Sequence, residues 1–236
     1  MKKITLLLLA FVLIKADAQQ VGKLAGSNGV PKYYEFYDNS GNRIPTAEMA
    51  DVNGSPFLKE QWGKGVVKFR NGKEFTDTMN YSLYENKLYY KKENKVFPIS
   101  NAVDEFLLTY KNETGEEEVY FFKSGYPVAD KNDINSFYEV IYKGAGLHLL
   151  KWEHKKISET ADYGNVRTKE FAGVEQCYVY AAADNTMTYL PKTTATVKKA
   201  LPQYAAAIDM YVSQHKMNWK DAKQLGALIT FLDKKQ

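Results

Sequence analysis

The chain has 236 residues, of which 44% are hydrophobic and 14% aromatic, so it can bury a sizeable core, and wholesale disorder is excluded. Its formal net charge of +4 is too weak to imply a polyanionic partner. Only three of its 32 basic residues are arginines, Arg43, Arg70 and Arg167. Because bidentate recognition of phosphates and bases favours arginine, this composition argues against nucleic-acid binding.

Residues 1–18 have the features of a secretory signal peptide. The sequence "MKKITLLLLAFVLIKADA" begins with two lysines after Met, continues with an apolar run, and ends in the small-x-small pattern of Ala16, Asp17 and Ala18. The apolar run is too short to span a bilayer. We therefore expect export to the periplasm or the extracellular space. We expect no transmembrane segment, because no other stretch approaches eighteen uninterrupted apolar residues.

Residues 19–53 are rich in Gly, Asn, Ser and Pro, and they contain "KYYEFYDNSGNRIP". This stretch reads as a strand, a Ser-Gly turn and a short return strand. We therefore expect an N-terminal extension with one hairpin.

Residues 54–191 are predicted to form a large curved antiparallel β-meander. Asn71 and Gly72 separate "GVVKFR" from "KEFTD", which predicts a type I′ hairpin, and further short hairpins follow. We expect ten to twelve strands, enough for a flat sheet to curl into a half-barrel or split into two layers. The polar segment from Ile157 to about Gly173 is predicted to be a long loop.

Residues 192–236 are predicted to form two short helices packed on the sheet, which gives an α+β fold. Pro202 suits a first helical turn, and Asn218 suits an N-cap. The two apolar faces consist of Tyr204, Ile208, Tyr211 or Val212 and His215, and of Ala222, Leu225, Ile229 and Leu232. Eight lysines against three aspartates make this tail basic. The lysines form either a solvated face or a docking surface for an acidic partner or membrane.

No arrangement typical of a cofactor, metal or catalytic site is visible. His148 and His154 would lie about 20 Å apart on one strand, too far to share a metal ion. Two calcium-like loops, "DNSGNR" and "DKNDIN", lack the required glycine. Cys177 is the only cysteine, which excludes an intramolecular disulfide. Because strand-forming residues flank it, we expect a buried, inert thiol, with a nucleophile or an intermolecular bridge as the alternative.

Aromatic residues recur through residues 66–99 and occupy both faces of the predicted strands. Tyr84 and Tyr89 lie on the second face, where uncovered rings would form a surface for a sugar, a peptide or a lipid. We therefore regard these two tyrosines as a tentative ligand surface. The alternative is that they are core residues, because the two predicted helices must bury their apolar stripes somewhere.

The order of "GSPFL", "FRNGKEF", "YSLYENKLYY", "FYEVIYKGAGLHLLKWEHKKI" and the lysine-rich "KMNWKDAKQLGALITFLD" resembles a group of secreted Bacteroidota proteins of unknown function. The resemblance covers most of the chain after residue 18. It implies a β-rich domain with a C-terminal helical pair and an envelope or extracellular location, and it implies no catalytic residues. The order of short Tyr-rich hairpins is also similar to periplasmic lipoprotein-carrier folds, in which a curved sheet holds acyl chains against a helical lid.

These features predict a non-catalytic exported protein that binds an unidentified protein or another envelope component. Two alternatives stay open. One is a periplasmic carrier of an acyl chain or other apolar ligand, which needs an unfilled cavity over the curved sheet. The other is a hydrolase in which the fold brings two carboxylates together.

Overall fold

A computed structural model describes residues 35–38, 40, 42–43, 49, 51–93, 95–161 and 167–235. The predicted signal peptide therefore lies outside the described residues. Within these ranges the chain forms twelve β-strands, all in one sheet, and three α-helices that follow them. The α+β class is confirmed, as is the position of the helices at the C-terminal end of the chain.

The strands are β1 (Glu35–Phe36), β2 (Val52–Asn53), β3 (Gly63–Phe69), β4 (Glu74–Ser82), β5 (Lys87–Lys92), β6 (Lys95–Pro98), β7 (Val103–Lys111), β8 (Glu117–Lys123), β9 (Tyr138–Lys143), β10 (Leu147–Ala161), β11 (Arg167–Ala181) and β12 (Thr186–Leu190). Their spatial order is β1-β6-β5-β4-β3-β7-β8-β9-β10-β11-β12, and β2 pairs with β11 outside this path. The pairs β1–β6 and β2–β11 are parallel, and the others are antiparallel. The meander is interrupted once, because β7 returns to pair with β3.

The hairpin predicted at Asn71 and Gly72 is present, but its turn is not type I′. Of Asn71 and Gly72, only Gly72 has a positive φ, which is 80°. The amide of Phe69 donates to the carbonyl of Lys73. Residues 70–72 therefore form a three-residue connection with glycine in the left-handed position.

The described part of the loop predicted from Ile157 to about Gly173 is strand instead, because β10 and β11 pair continuously from Leu147 with Ala181 to Ala161 with Arg167. Contacts distant in sequence hold this polar tip in place. β2 pairs with it at Lys169 and Glu170. Further contacts join it to the β4–β5 turn, where the Lys155 amide donates to the Leu83 carbonyl and Phe171 packs edge-on against Tyr84. The tip therefore folds back towards the first half of the sheet.

The helices are α1 (Thr194–Ala200), α2 (Ala205–Gln214) and α3 (Ala222–Asp233), with a 3-10 turn at Pro202–Tyr204. The sequence predicted two helices and missed α1, which buries only Val197 and so lacks a repeating apolar stripe. Asp221, rather than Asn218, caps α3, since its carboxylate accepts from the amides of Lys223 and Gln224. The helices pack over β9–β12, in a cluster that includes Leu147, Leu149, Val179, Ile208, Leu225, Leu228, Ile229 and Leu232.

Asp233 joins the end of α3 to the β9–β10 turn. Its carboxylate accepts hydrogen bonds from the amides of Leu147 at 2.7 Å, Gly146 at 3.0 Å and Ala145 at 3.2 Å, and from the Tyr142 hydroxyl at 3.0 Å. Burial alone would raise the pKa of Asp233, but these hydrogen bonds outweigh it and hold the pKa below its usual range. One ionised side chain therefore fixes the helical layer on the sheet.

We predict that Asp233→Asn lowers the free energy of unfolding by about 1–3 kcal/mol, because hydrogen bonds to a charged acceptor are lost and an amide then faces backbone donors. Since the folded pKa is lowered, the stabilisation is complete above about pH 4 and is lost as the pH falls through that lowered pKa. Urea unfolding at several pH values measures both effects. Asp209→Asn, which removes an exposed pair with Lys198, is the control and should cost about 0.5 kcal/mol or less. If the two substitutions lowered the free energy of unfolding equally, Asp233 would not be the anchor of α3 on the sheet.

We predict that Gly63→Ala destabilises the fold, because an added Cβ would overlap the Thr109 carbonyl and the Tyr110 ring on β7. The expected loss is about 1–3 kcal/mol, typical of overpacking. Gly173→Ala is the matched control on β11, where an added Cβ meets no atom within 4 Å. It should stay within about 1 kcal/mol of the wild type. Urea unfolding compares the two, and a Gly63 variant as stable as the control would refute the close approach of β3 and β7.

Candidate functional site

A cleft opens at one end of the sheet, between the β3–β4 turn and the connection from β6 to β7. Its volume is about 630 Å³, which lies within the range of small-ligand sites. The lining residues are Phe69, Asn71, Lys73, Glu74, Phe75, Tyr90, Pro98, Ile99, Ser100 and Asn101.

Two aromatic rings form the apolar part of this cleft. Phe75 on β4 and Tyr90 on β5 lie on one face of the sheet, with ring centroids 5.4 Å apart and planes at 84°. Both side chains are half-buried, so part of each ring can contact a ligand. The row of rings continues past the cleft, from Tyr90 to Phe97 at 5.4 Å and from Phe97 to Tyr37 at 5.7 Å.

Several polar side chains at the cleft have hydrogen-bonding capacity left over. Within the described part of the chain, the Tyr90 hydroxyl and the Asn101 side-chain amide make no hydrogen bond, and Lys73 and Glu74 make no ion pair. The Asn71 side-chain oxygen accepts from the Lys73 amide, which leaves the Asn71 amino group available. The cleft therefore offers donors and acceptors beside partly exposed rings.

The two tyrosines singled out from the sequence do not contribute to this cleft. Tyr89 is 3% exposed and packs between Phe36 at 5.6 Å and Phe57 at 5.9 Å. Its hydroxyl donates to Glu85. A ligand could not reach the Tyr89 ring without displacing these residues. Tyr84 is half-buried and packs edge-on against Phe171. The N-terminal residues, and not the predicted helical lid, cover Tyr89.

A cluster of three charged side chains on β9 and β10 is a candidate for acid-base chemistry that the sequence did not reveal. Lys151 Nζ lies 2.6 Å from Glu139 Oε2 and 3.4 Å from Glu153 Oε2. Burial alone would lower the pKa of Lys151, but the carboxylates of Glu139 and Glu153 outweigh it and raise that pKa. One ammonium therefore pairs with both carboxylates and offsets one of their two negative charges. Such an arrangement is a structural ion pair rather than the free carboxylate pair of a glycosidase.

The two strand histidines lie on β10, as the sequence predicted, and each contacts its own neighbours. His148 Nδ1 is 3.1 Å from the Tyr126 hydroxyl, and the ring of His154 stacks on Trp152. Burial and Lys143 lower the pKa of His148. Within the described ranges, no group of three His, Cys, Asp or Glu side chains could hold a metal ion.

All three aspartates of the basic C-terminal tail make structural contacts. Asp209 pairs with Lys198 at 2.6 Å, Asp221 caps α3 and Asp233 anchors it. The other seven lysines are exposed. The helical layer therefore presents a basic surface, remote in sequence from the cleft residues.

Comparisons with protein-family models, curated proteins and solved structures find no match to this chain. Among the helices described, none combines the length and the apolar character needed to cross a membrane.

The prediction of a buried thiol is confirmed, because Cys177 is 4% exposed, and burial raises its pKa to about 11. We predict that a water-soluble disulfide reagent at pH 8 modifies Cys177 at least about 100-fold more slowly than a model thiol, because both access and the thiolate fraction are low. Adding a denaturing concentration of urea should restore the model rate. Fast modification of the folded protein would contradict an inert role.

Proposed function

We propose that the protein is a non-catalytic, exported binding protein of the cell envelope, and that its ligand occupies the cleft lined by Phe75 and Tyr90. The observation that carries this proposal is the combination of partly exposed rings with the Tyr90 hydroxyl, the Asn101 side-chain amide and the Glu74 carboxylate, which make no hydrogen bond or ion pair among the described residues. The signal-peptide pattern of residues 1–18 supports export.

The chemistry of the lining favours binding over catalysis. Glu74 is the one carboxylate among the lining residues, which include no histidine and no cysteine. Elsewhere, Lys151 holds Glu139 and Glu153 in ion pairs, and the Cys177 thiol is buried. A hydrolase with two cooperating carboxylates would need a second acid beside Glu74.

The packing of the sheet also favours this proposal over a carrier of acyl chains. A carrier needs an unfilled apolar cavity over the curved sheet. There, the ring of Tyr81 lies 5.3 Å from Phe106 and 5.1 Å from Phe122, and Phe106 stacks on Phe122 at 4.9 Å. These rings fill the middle of the sheet, and the cleft at its end has polar side chains around its mouth.

We predict that Tyr90→Ala abolishes the binding of a native envelope extract. The extract is added to ¹⁵N-labelled protein lacking residues 1–18, and amide shifts are followed by NMR. Shifts should concentrate at residues 71–75 and 98–101 in the wild type. They should vanish in Tyr90→Ala, and they should persist in Tyr189→Ala, the control at an exposed tyrosine on β12. Shifts confined to other surfaces, or no shifts at all, would refute the cleft as the site.

A further inference from the structure

We infer that the ligand of the cleft is an uncharged oligosaccharide chain, an inference that rests on the proposed binding function. Three observations together point to this class: the near-neutral charge of the lining, the partly exposed rings beside polar side chains, and the hydrogen bonds already made by main-chain amides around the cleft. The first argues against charged ligands, the second favours a sugar, and the third argues against a peptide.

The charge of the lining favours a neutral ligand. Lys73 and Glu74 are the only charged residues among those that line the cleft, and they have opposite signs. Arg70 is adjacent in sequence, but its guanidinium is engaged elsewhere, because Nη2 donates to the Asn135 side-chain oxygen at 3.0 Å. No arginine fork therefore faces the cleft to bind a phosphate or carboxylate in bidentate fashion.

The side chains match the two-sided chemistry of a pyranose ring. Its C–H faces are apolar and can pack on the exposed parts of Phe75 and Tyr90, while its hydroxyls need both donors and acceptors at the edge. The Tyr90 hydroxyl can donate or accept, the Asn101 amide offers both functions, and Glu74 accepts. Because these groups make no other hydrogen bond or ion pair among the described residues, a sugar would not have to displace a protein contact.

The main chain at the rim of the cleft, at residues 69, 70 and 99, argues against an extended peptide as the ligand. A peptide that adds to a sheet needs free main-chain donors and acceptors on the protein. At this rim the amide of Phe69 donates to Lys73, that of Arg70 to Ala102, and that of Ile99 to Leu88. A ligand in the cleft therefore meets mainly side chains. This suits a sugar better than a polypeptide.

Further aromatic rings beyond Tyr90 indicate that the ligand is a chain of several sugar units rather than a single sugar. From Tyr90 the rings of Phe97 and Tyr37 follow beyond the cleft, and Lys95 Nζ lies 5.0 Å from the centroid of the Tyr37 ring. A chain anchored at Tyr90 could continue over these half-buried rings across β6. Affinity should therefore rise with the number of sugar units.

The test is calorimetric titration of protein lacking residues 1–18 with chitotetraose and cellotetraose, followed by NMR mapping. We expect at least one tetrasaccharide to bind, with shifts at residues 71–75 and 98–101, and more tightly than its disaccharide. Tyr90→Ala should weaken binding at least tenfold. Tyr90→Phe, which keeps the ring, should weaken it only a few-fold. Tyr189→Ala should leave it unchanged, and urea unfolding confirms that each variant is folded.

Two sets of results would overturn the inference in distinguishable ways. If neither tetrasaccharide binds while a peptide or acyl chain from the envelope extract occupies the cleft in a Tyr90-dependent manner, the binding function stands and the sugar class is wrong. If an oligogalacturonate binds tenfold more tightly than the neutral sugars, the argument from charge fails. If neither the sugars nor the extract perturb the cleft residues, both the inference and the proposed function fail.

Discussion

Lys155, in the middle of β10, joins the long β10–β11 hairpin to the first half of the chain. Its Nζ donates to the carbonyls of Ser55 at 2.9 Å and Phe57 at 2.6 Å, and its amide donates to Leu83 at 3.1 Å. Burial lowers the pKa of Lys155, and the two carbonyls compensate the buried ammonium with hydrogen bonds. Together with the pairing of β2 with β11 and the ring contact of Tyr84 with Phe171, these hydrogen bonds hold the hairpin against the first half of the chain.

The contacts of Lys155 also bear on the two faces of β5, one of which is covered and the other partly accessible. Lys155 donates to the carbonyl of Phe57, whose ring covers Tyr89 on β5 and contacts Trp62. Tyr90, the next residue, faces the other side and lines the cleft. Neighbouring tyrosines on one strand thus have opposite roles, one as core and one as an accessible surface, as the two-residue period of a strand requires.

Short sequence patterns predicted the hairpins and helices correctly where these depend on neighbouring residues. The wrong predictions concern features that depend on contacts between residues distant in sequence. The glycine hairpin at Gly72 and the apolar stripe of α3 are encoded within a few residues, so both were recognised. The tip of β10–β11 and the burial of Tyr89 depend on partners that are distant in sequence, such as Val52 for the tip and Phe57 for Tyr89. The cleft brings residues 71–75 next to residues 98–101. No pattern within a few residues of sequence predicts that these two segments are neighbours.

The cleft is built on strands, and this bears on how it can bind. Phe75 and Tyr90 pack against the aromatic core through their inner edges and against each other at 5.4 Å. Their orientation is therefore fixed before any ligand arrives, so little side-chain entropy remains to be lost on binding. Such a preorganised pair of rings suits the apolar C–H face of the sugar that we propose as the ligand. The packing that orients Phe75 and Tyr90 therefore also shapes the binding surface that we propose.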